Sequence, residues 1–447
     1  MVYRLLLLVC CALPVSAAMA QDTVMTDTNT PLHLLKPDYP HPYGEATVEG
    51  IKRHLDRVFV YLDAVTPAAI VDKYNGKELS AEAPGPSPIF APGQFRLTSY
   101  EWGVTYAAML AVHSKTADFR YQKYVEQRFN LLHNLFVHYQ DIGCTSWNDA
   151  PIRSMLVPHA LDDAGALCMA MIKYSLVKGD TSLRPIIDHF IDFILYKEHR
   201  LPDGTLARNR PLKNTVWLDD LFMSVPALAY MGKLTGDAAY FDEAARQVIQ
   251  FASRMFDHDK KIFIHGWIAE AELQPKYHWA RANGWAIMAI TELLDVLPLD
   301  HKNRPEIMTY YRTHVAGLAA LQSDKGLWHQ LLDRNDSYLE TSSTAIFTYA
   351  IAKGINNGWL AHDAFGPMVL LAWEALVSQI NPIGQILGTC VGTGMGFDPA
   401  FYYYRPVNVF AAHSYGPVLL AGAEMIALLN RWSYEINETA IQFKPET

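Results

Sequence analysis

Two pairs of adjacent aspartates, Asp162-Asp163 and Asp219-Asp220, stand 57 residues apart, each at the head of an apolar segment. Leu218, Leu221, Phe222 and Met223 enclose the second pair. A carboxyl group in such surroundings is pushed toward its protonated form and can act as a general acid near neutral pH. The same residues also suit a helix start, where one aspartate caps and the next complements the helix dipole. Small residues follow the first pair, Ala164-Gly165-Ala166, and leave room for a ligand or for a close helix contact.

Arg281 lies between Trp279 and Trp285, with Asn283 on the same turn. A guanidinium is a planar fork suited to a carboxylate, and indole faces stack on sugar rings. The segment is equally readable as a helix start with a packed aromatic pair. Trp217 precedes Asp219, Trp102 follows Tyr100-Glu101, and His265-Gly266-Trp267 and Trp328-His329-Gln330 add further candidates for a polar and aromatic cleft. Arg208 and Arg210 precede Asp219 by a loop length and could add positive charge. A metal is not expected. Four residues after Asp219 comes Met223, and four after Asp162 comes Ala166, so neither pair has the second carboxylate of a helical magnesium site. No His-Glu-x-x-His pattern, clustered Cys/His spacing or G-x-S-x-G elbow occurs. The run Gly392-Thr393-Gly394-Met395-Gly396 lacks the Gly-Lys-Ser/Thr ending of a phosphate loop and reads as a tight turn, so no cofactor is expected either.

These residues recur at a fixed period. With Glu101, Asp162, Asp219, Arg281, Thr341 and His413 as markers, the intervals are 61, 57, 62, 60 and 72 residues. Apolar residues at spacings of three and four predict about twelve helices, near 47–64, 99–114, 117–139, 161–178, 182–197, 217–234, 238–256, 281–297, 304–322, 341–355, 360–380 and 412–430. Each marker falls at the start of every second helix. Gly179-Asp180 and Gly236-Asp237 fit hairpin connections in which glycine ends one helix and aspartate caps the next. Strand signals are confined to short pieces such as Lys261 to Trp267 and the tail after Trp432. Six helical hairpins of this length suggest a closed all-α ring, an (α/α)6 barrel with six inner and six outer helices. Its inner N-termini would open on one rim and favour an anionic ligand.

Composition sets the outer limits. Of 447 residues, 50% are hydrophobic and 19% charged, which excludes a disordered chain. With 37 Lys+Arg against 46 Asp+Glu and no basic cluster, neither nucleic acid nor an anionic membrane surface is an expected partner. Residues 1–20 read as a signal peptide: Arg4, an apolar run from Leu5 to Leu13, then Ala18-Met19-Ala20 before Gln21. A proline-rich arm at 21–46, the barrel at 47–432 and a tail at 433–447 complete the expected organisation. Beyond the leader only Cys144, Cys168 and Cys390 remain, too few for a disulfide framework. No later stretch reads as long and apolar enough to span a bilayer, which points to a soluble protein exported to the periplasm or beyond.

Taken together, Leu161-Asp162-Asp163-Ala164-Gly165, Trp217-Leu218-Asp219-Asp220-Leu221-Phe222-Met223, Trp279-Ala280-Arg281-Ala282-Asn283-Gly284-Trp285, Leu327-Trp328-His329-Gln330 and the Gly392–Gly396 run resemble glycoside hydrolase family 105, the unsaturated rhamnogalacturonyl hydrolases, related to the unsaturated glucuronyl hydrolases of family 88. The resemblance spans about residues 47 to 430 and implies an (α/α)6 barrel. It implies removal of a 4,5-unsaturated uronic acid from oligosaccharides by hydration of the vinyl ether, with Asp219 as general acid and base. A second aspartate matches Asp162 or Asp163, the spacing to Gly165 slightly favouring Asp163. Arg281 and Trp285 match residues lining the uronate pocket, and His265 and His329 match substrate-facing histidines less closely. Ala282 replaces a glycine common in relatives, which bears on local loop shape only. A conventional inverting glycosidase, a polysaccharide lyase on the same barrel, or a non-catalytic helical binding protein are the alternative readings.

Overall fold

The computed structural model describes residues 24–35, 40–437 and 440–444. The expected leader lies outside the described residues, as does part of the arm. The twelve barrel helices are α1 (Val48–Val65), α2 (Tyr100–Thr116), α3 (Phe119–Ile142), α4 (Gly165–Lys178), α5 (Arg184–Asp192), α6 (Val225–Thr235), α7 (Ala238–Met255), α8 (Ala280–Val296), α9 (Arg304–Ala319), α10 (Thr341–Asn356), α11 (His362–Ser378) and α12 (Tyr415–Arg431). The even-numbered helices form the inner ring, each packed on the next, and α12 closes it against α2. The odd-numbered helices cover them.

The two rings differ for a reason visible in their side chains. Outer α1 buries Ile51, Leu55, Val58, Phe59, Tyr61 and Leu62, a single stripe, and leaves the rest to solvent. Inner α8 is buried without interruption from Ala280 to Leu294, because it meets neighbours all round. Gly179 (φ 67°) and Gly236 (φ 75°) end helices in the left-handed conformation as expected. Asp237 caps α7 by accepting the Ala239 N–H at 2.9 Å. Asp180 does not cap α5: it accepts the Ser182 N–H at 2.8 Å in the preceding turn, and the helix starts at Arg184 with Pro185 in its first turn.

The helix expected over 217–234 is broken. Thr215–Trp217 is a strand, Asp219–Phe222 a single helical turn, and α6 begins only at Val225. Pro226 supplies the cause, since its ring excludes the carbonyl four residues earlier from a continuous helix. Likewise a 3-10 turn, Leu161–Asp163, precedes α4. Short strand pairs are more numerous than expected: Ile70–Asp72 pairs with Glu78–Leu79 and Pro88–Phe90, and Trp328–His329 with Leu339–Glu340. The tail strands Tyr434–Asn437 and Ala440–Phe443 form a hairpin on α11.

One expectation needs correction. Ala412–Arg431 is long and apolar enough to cross a membrane by length and composition, yet 83% of it is buried inside the barrel, so its apolarity is that of an inner helix. Cys168 and Cys390 are buried free thiols.

Glycines let the inner helices meet at the rim. A Cβ on Gly165 would lie 1.7 Å from the Met223 carbonyl oxygen, and one on Gly103 2.5 Å from the Ala166 backbone. The small residues beside Asp162 therefore serve a helix contact. Gly165→Ala is expected to destabilise the protein by about 3 kcal/mol because the obstacle is backbone. Gly392→Ala, whose Cβ would find nothing nearer than His413 at 4.0 Å, should leave stability nearly unchanged. Urea unfolding of the two variants checks the contrast.

Candidate active site

Strand pairing brings the chemistry together. Thr215–Trp217 lies antiparallel to Gly266–Ile268, with Trp217 opposite Gly266, and the Leu218 N–H donates to the His265 carbonyl at 3.0 Å. Asp219 and His265 thus emerge side by side, and His265 Nε2 lies 3.0 Å from Asp219 Oδ2. An isolated bridge between Arg208 and Thr215 adds Arg208 to the same edge.

Arg208 is buried and its guanidinium grips Asp220, with Nε at 3.1 and 2.8 Å from the two carboxylate oxygens. Its Nη2 also reaches Asp162, 3.2 Å from Oδ1. The cation lies 4.4 Å from the centre of the Trp217 ring. Burial pushes the Asp162 carboxyl up to about 6; Arg208 opposes the shift, and the neighbouring Asp220 and Asp219 add to it. Burial would raise Asp219 as well, but the hydrogen bond from His265, the charge of that ring whenever it is protonated, and the charges of Arg208 and Arg281 outweigh it and hold that carboxyl below its usual value. The expected assignment of a raised carboxyl to Asp219 is therefore corrected: of the two, Asp162 is the one held above the usual carboxylate range. Asp163 is turned away, accepting the His159 N–H at 2.9 Å, so Asp162 is the member of its pair that joins the cluster.

Arg281 is buried over Trp279, 4.5 Å from its ring centre. Its Nη1 donates to the Cys390 carbonyl at 2.7 Å and to Ser342 Oγ at 3.2 Å, and its Nη2 to the Val391 carbonyl at 2.6 Å. Glu340 lies 3.8 Å away. The end of the fork thus holds the 390–391 segment, and its buried Nε is left an unpaired donor among the described residues.

The indoles divide. Trp285 is buried and stacked on Phe222, ring centres 5.1 Å apart, and Trp279 is covered by Arg281 and His265, so both are walls and not sugar platforms. Trp102 lies in the core, stacked on Phe95 and donating to the Tyr124 hydroxyl at 3.1 Å. Trp217 alone of the four is partly exposed, with Gly394 laid against its edge. His329 belongs to a separate cavity of about 900 Å³, lined also by Lys260, Gln322, Lys325, Asp333 and Asn335. Arg210 is exposed beside the site. No group of three or more potential metal-ligating side chains occurs among the described residues.

Several residues that the sequence offered only as repeat markers or neighbours, and one that it did not single out, Tyr402, complete the site. The Tyr100 hydroxyl and His413 Nε2 are 2.7 Å apart, and Tyr100 lies edge-on to Trp285. Burial, reinforced by Arg281, holds His413 well below its ordinary pKa, so its 3.4 Å approach to Glu101 is not an ion pair. Glu101, His413, Arg96, Asn408 and Gly392 line an adjoining cavity of about 410 Å³. Tyr402, on the short helix Pro399–Tyr403, places its hydroxyl 2.7 Å from His265 Nδ1. It sits in the run Phe401-Tyr402-Tyr403-Tyr404, where nothing in the sequence distinguishes one tyrosine from the next.

Comparison with known proteins follows this geometry. The chain is 26% identical over 364 residues to an unsaturated 3S-rhamnoglycuronyl hydrolase of Formosa agariphila, covering 76% of this chain and 87% of that one. It is 26% identical over 292 residues to the unsaturated rhamnogalacturonyl hydrolase YesR of Bacillus subtilis, covering 64% and 83%. A solved structure, a possible member of family GH105 from Salmonella enterica, superposes with a TM-score of 0.68 at 22% identity over 90% of this chain and 99% of that one, and bears out the (α/α)6 fold. The family described as Glycosyl Hydrolase Family 88 matches residues 71–429, and the chain belongs to this family of glycoside hydrolases.

Proposed function

We propose that the protein is an exported hydrolase that releases 4,5-unsaturated uronic acid from the non-reducing end of lyase-generated oligosaccharides, foremost those derived from rhamnogalacturonan. The observation that carries this reading is the placement of Asp219 against His265, beside Asp162, whose carboxyl is raised by burial, and within reach of the charge of Arg281. The substrates named for the relatives, unsaturated rhamnoglycuronyl and rhamnogalacturonyl compounds, support it.

In this reading the uronate carboxylate meets Arg281 and the sugar ring lies against the open face of Trp217. An anion at Arg281 offsets one of the cations that keep Asp219 ionised, so substrate entry favours transfer of the Asp162 proton to Asp219. Asp219 then protonates C4 and, as a carboxylate, takes a proton from the water that attacks C5. The resulting hemiketal opens and expels the remaining sugars, which the cavity beside Glu101 and His413 can receive. Ordinary glycosidic cleavage would instead need two carboxyls on either side of the C1 bond.

Turnover in D₂O distinguishes the two. Hydration places deuterium at C4 of the released uronic acid from the first turnovers, as NMR can record; cleavage at C1 with the double bond retained would defeat the assignment.

The pH dependence follows from Asp162. The free enzyme needs one proton on the Asp162/Asp219 pair. Asp162 holds it below about pH 6 and loses it above, so kcat/KM should be level on the acid side and fall toward tenfold per pH unit on the alkaline side. Asp162→Asn should lower kcat/KM by about a hundredfold and remove that limb. An unchanged profile in the variant would assign the proton elsewhere.

Export rests on the leader at residues 1–20. Mass spectrometry of the protein from a secreting host should find a chain beginning at Gln21; recovery with Met1 intact would refute it.

A further inference from the structure

Tyr402 lies outside the strands and helix starts that carry the candidate catalytic groups, yet its side chain is fully buried against one of them. Three contacts converge on its hydroxyl oxygen. The Gly396 N–H donates to it at 2.9 Å, His265 Nδ1 is 2.7 Å away, and the Gly396 carbonyl oxygen is 3.4 Å away. A phenol has one proton to give. Gly396 already supplies a donor, so the phenol proton goes to one of two acceptors, and the nearer by 0.7 Å is His265 Nδ1. An imidazole that accepts at Nδ1 carries its proton on Nε2, and that nitrogen faces Asp219 Oδ2 at 3.0 Å.

We propose that Tyr402 is a positioning residue which fixes His265 in the Nε2–H tautomer, so that His265 donates a hydrogen bond to Asp219. With the opposite tautomer, a lone pair would face the carboxylate. That arrangement is repulsive whenever Asp219 is ionised, and His265 could not hold it in line for attack at C4 and C5. The link also ties the site to the glycine-rich segment. Met395 packs over Gly266, where a Cβ would meet its sulfur at 2.3 Å, and Gly396 supplies the N–H that orients the Tyr402 hydroxyl. The Gly392–Gly396 run, left as a plain turn by its sequence, thereby sets the orientation of a hydroxyl two bonds removed from the reacting carboxyl.

The inference rests on the reading of Asp219 as acid and base, and the test separates the two. Ring-¹⁵N histidine spectra of the full chain at pH about 8, above the ordinary imidazole pKa, report the tautomer without substrate. The His265 signals are those lost in His265→Gln. The expected result is a protonated Nε2 and an unprotonated Nδ1 in the parent protein. In Tyr402→Phe, which keeps the ring and removes only the hydroxyl, the pattern should shift toward a mixture of tautomers, since Asp219 alone then favours the Nε2–H form. On unsaturated disaccharide, kcat should then fall by about a hundredfold while KM stays within about threefold. A protonated Nδ1 in the parent protein overturns the inference, and that measurement stands even if Tyr402→Phe does not fold. An unchanged tautomer or an unchanged kcat in a folded Tyr402→Phe overturns it too. Absence of C4 deuterium would instead remove the hydration reading and leave the tautomer result in place.

Discussion

Six helix N-termini meet on one rim, and the partial positive charge they gather must be balanced among side chains that are largely buried. Much of the rim chemistry answers to this constraint. Glu340 is fully buried, yet its carboxylate is satisfied: it accepts the N–H groups of Ser342 and Ser343 at the head of α10 and the N–H of Cys390. Asp162 and Asp219 stand at the heads of their own segments and answer to Arg208 and His265 as well. A carboxylate at such a position is stabilised by the helix and unsettled by burial, and its protonation is decided by the balance of burial, neighbouring carboxylates and hydrogen-bonded partners. This is why two aspartates in one cleft end on opposite sides of the usual value.

The second demand is to hold irregular segments still. Arg281 and Glu340 work as a clamp on one stretch of chain: the arginine takes the carbonyls of Cys390 and Val391, and the glutamate takes the Cys390 N–H. From that fixed point the glycine run crosses Trp217 and Gly266 and delivers Tyr402 to His265. A buried ion pair of this kind contributes little net stability on average. Its value here is geometric, since it orders a loop that has few backbone hydrogen bonds of its own.

The far ends of the inner helices show the converse arrangement. Glu292, fully buried, receives Lys173 at 2.7 Å and the hydroxyls of Tyr230 and Tyr349 at 3.0 and 2.6 Å, which joins α4, α6, α8 and α10. Lys353 pairs with Asp295 at 2.9 Å beside it. Lysines complement helix C-termini as carboxylates complement N-termini, so the two mouths of the barrel are chemically distinct before any ligand enters.

The sequence by itself determined the twelve helices, their alternation and the sixty-residue period, because a helix that packs on all sides and one that packs on a single stripe leave different local patterns. It also pointed Asp219, Arg281, His265, one of Asp162 and Asp163, and Arg208 or Arg210 toward one rim, since each marks the same phase of the repeat or its adjoining loop. What it could not determine was how each side chain is spent. Trp102 and Trp285 resemble sugar platforms in one dimension and are core residues in three, and His329 falls into a different cavity. Asp162 and Asp163 are adjacent in the chain, yet only the turn at Leu161–Asp163 decides which one faces Arg208. Protonation and hydrogen-bond partnership depend on groups brought from 46 or 137 residues away, as His265 is to Asp219 and Tyr402 is to His265. Such contacts arise from closure of the ring and the pairing of short strands, and no local periodicity encodes them.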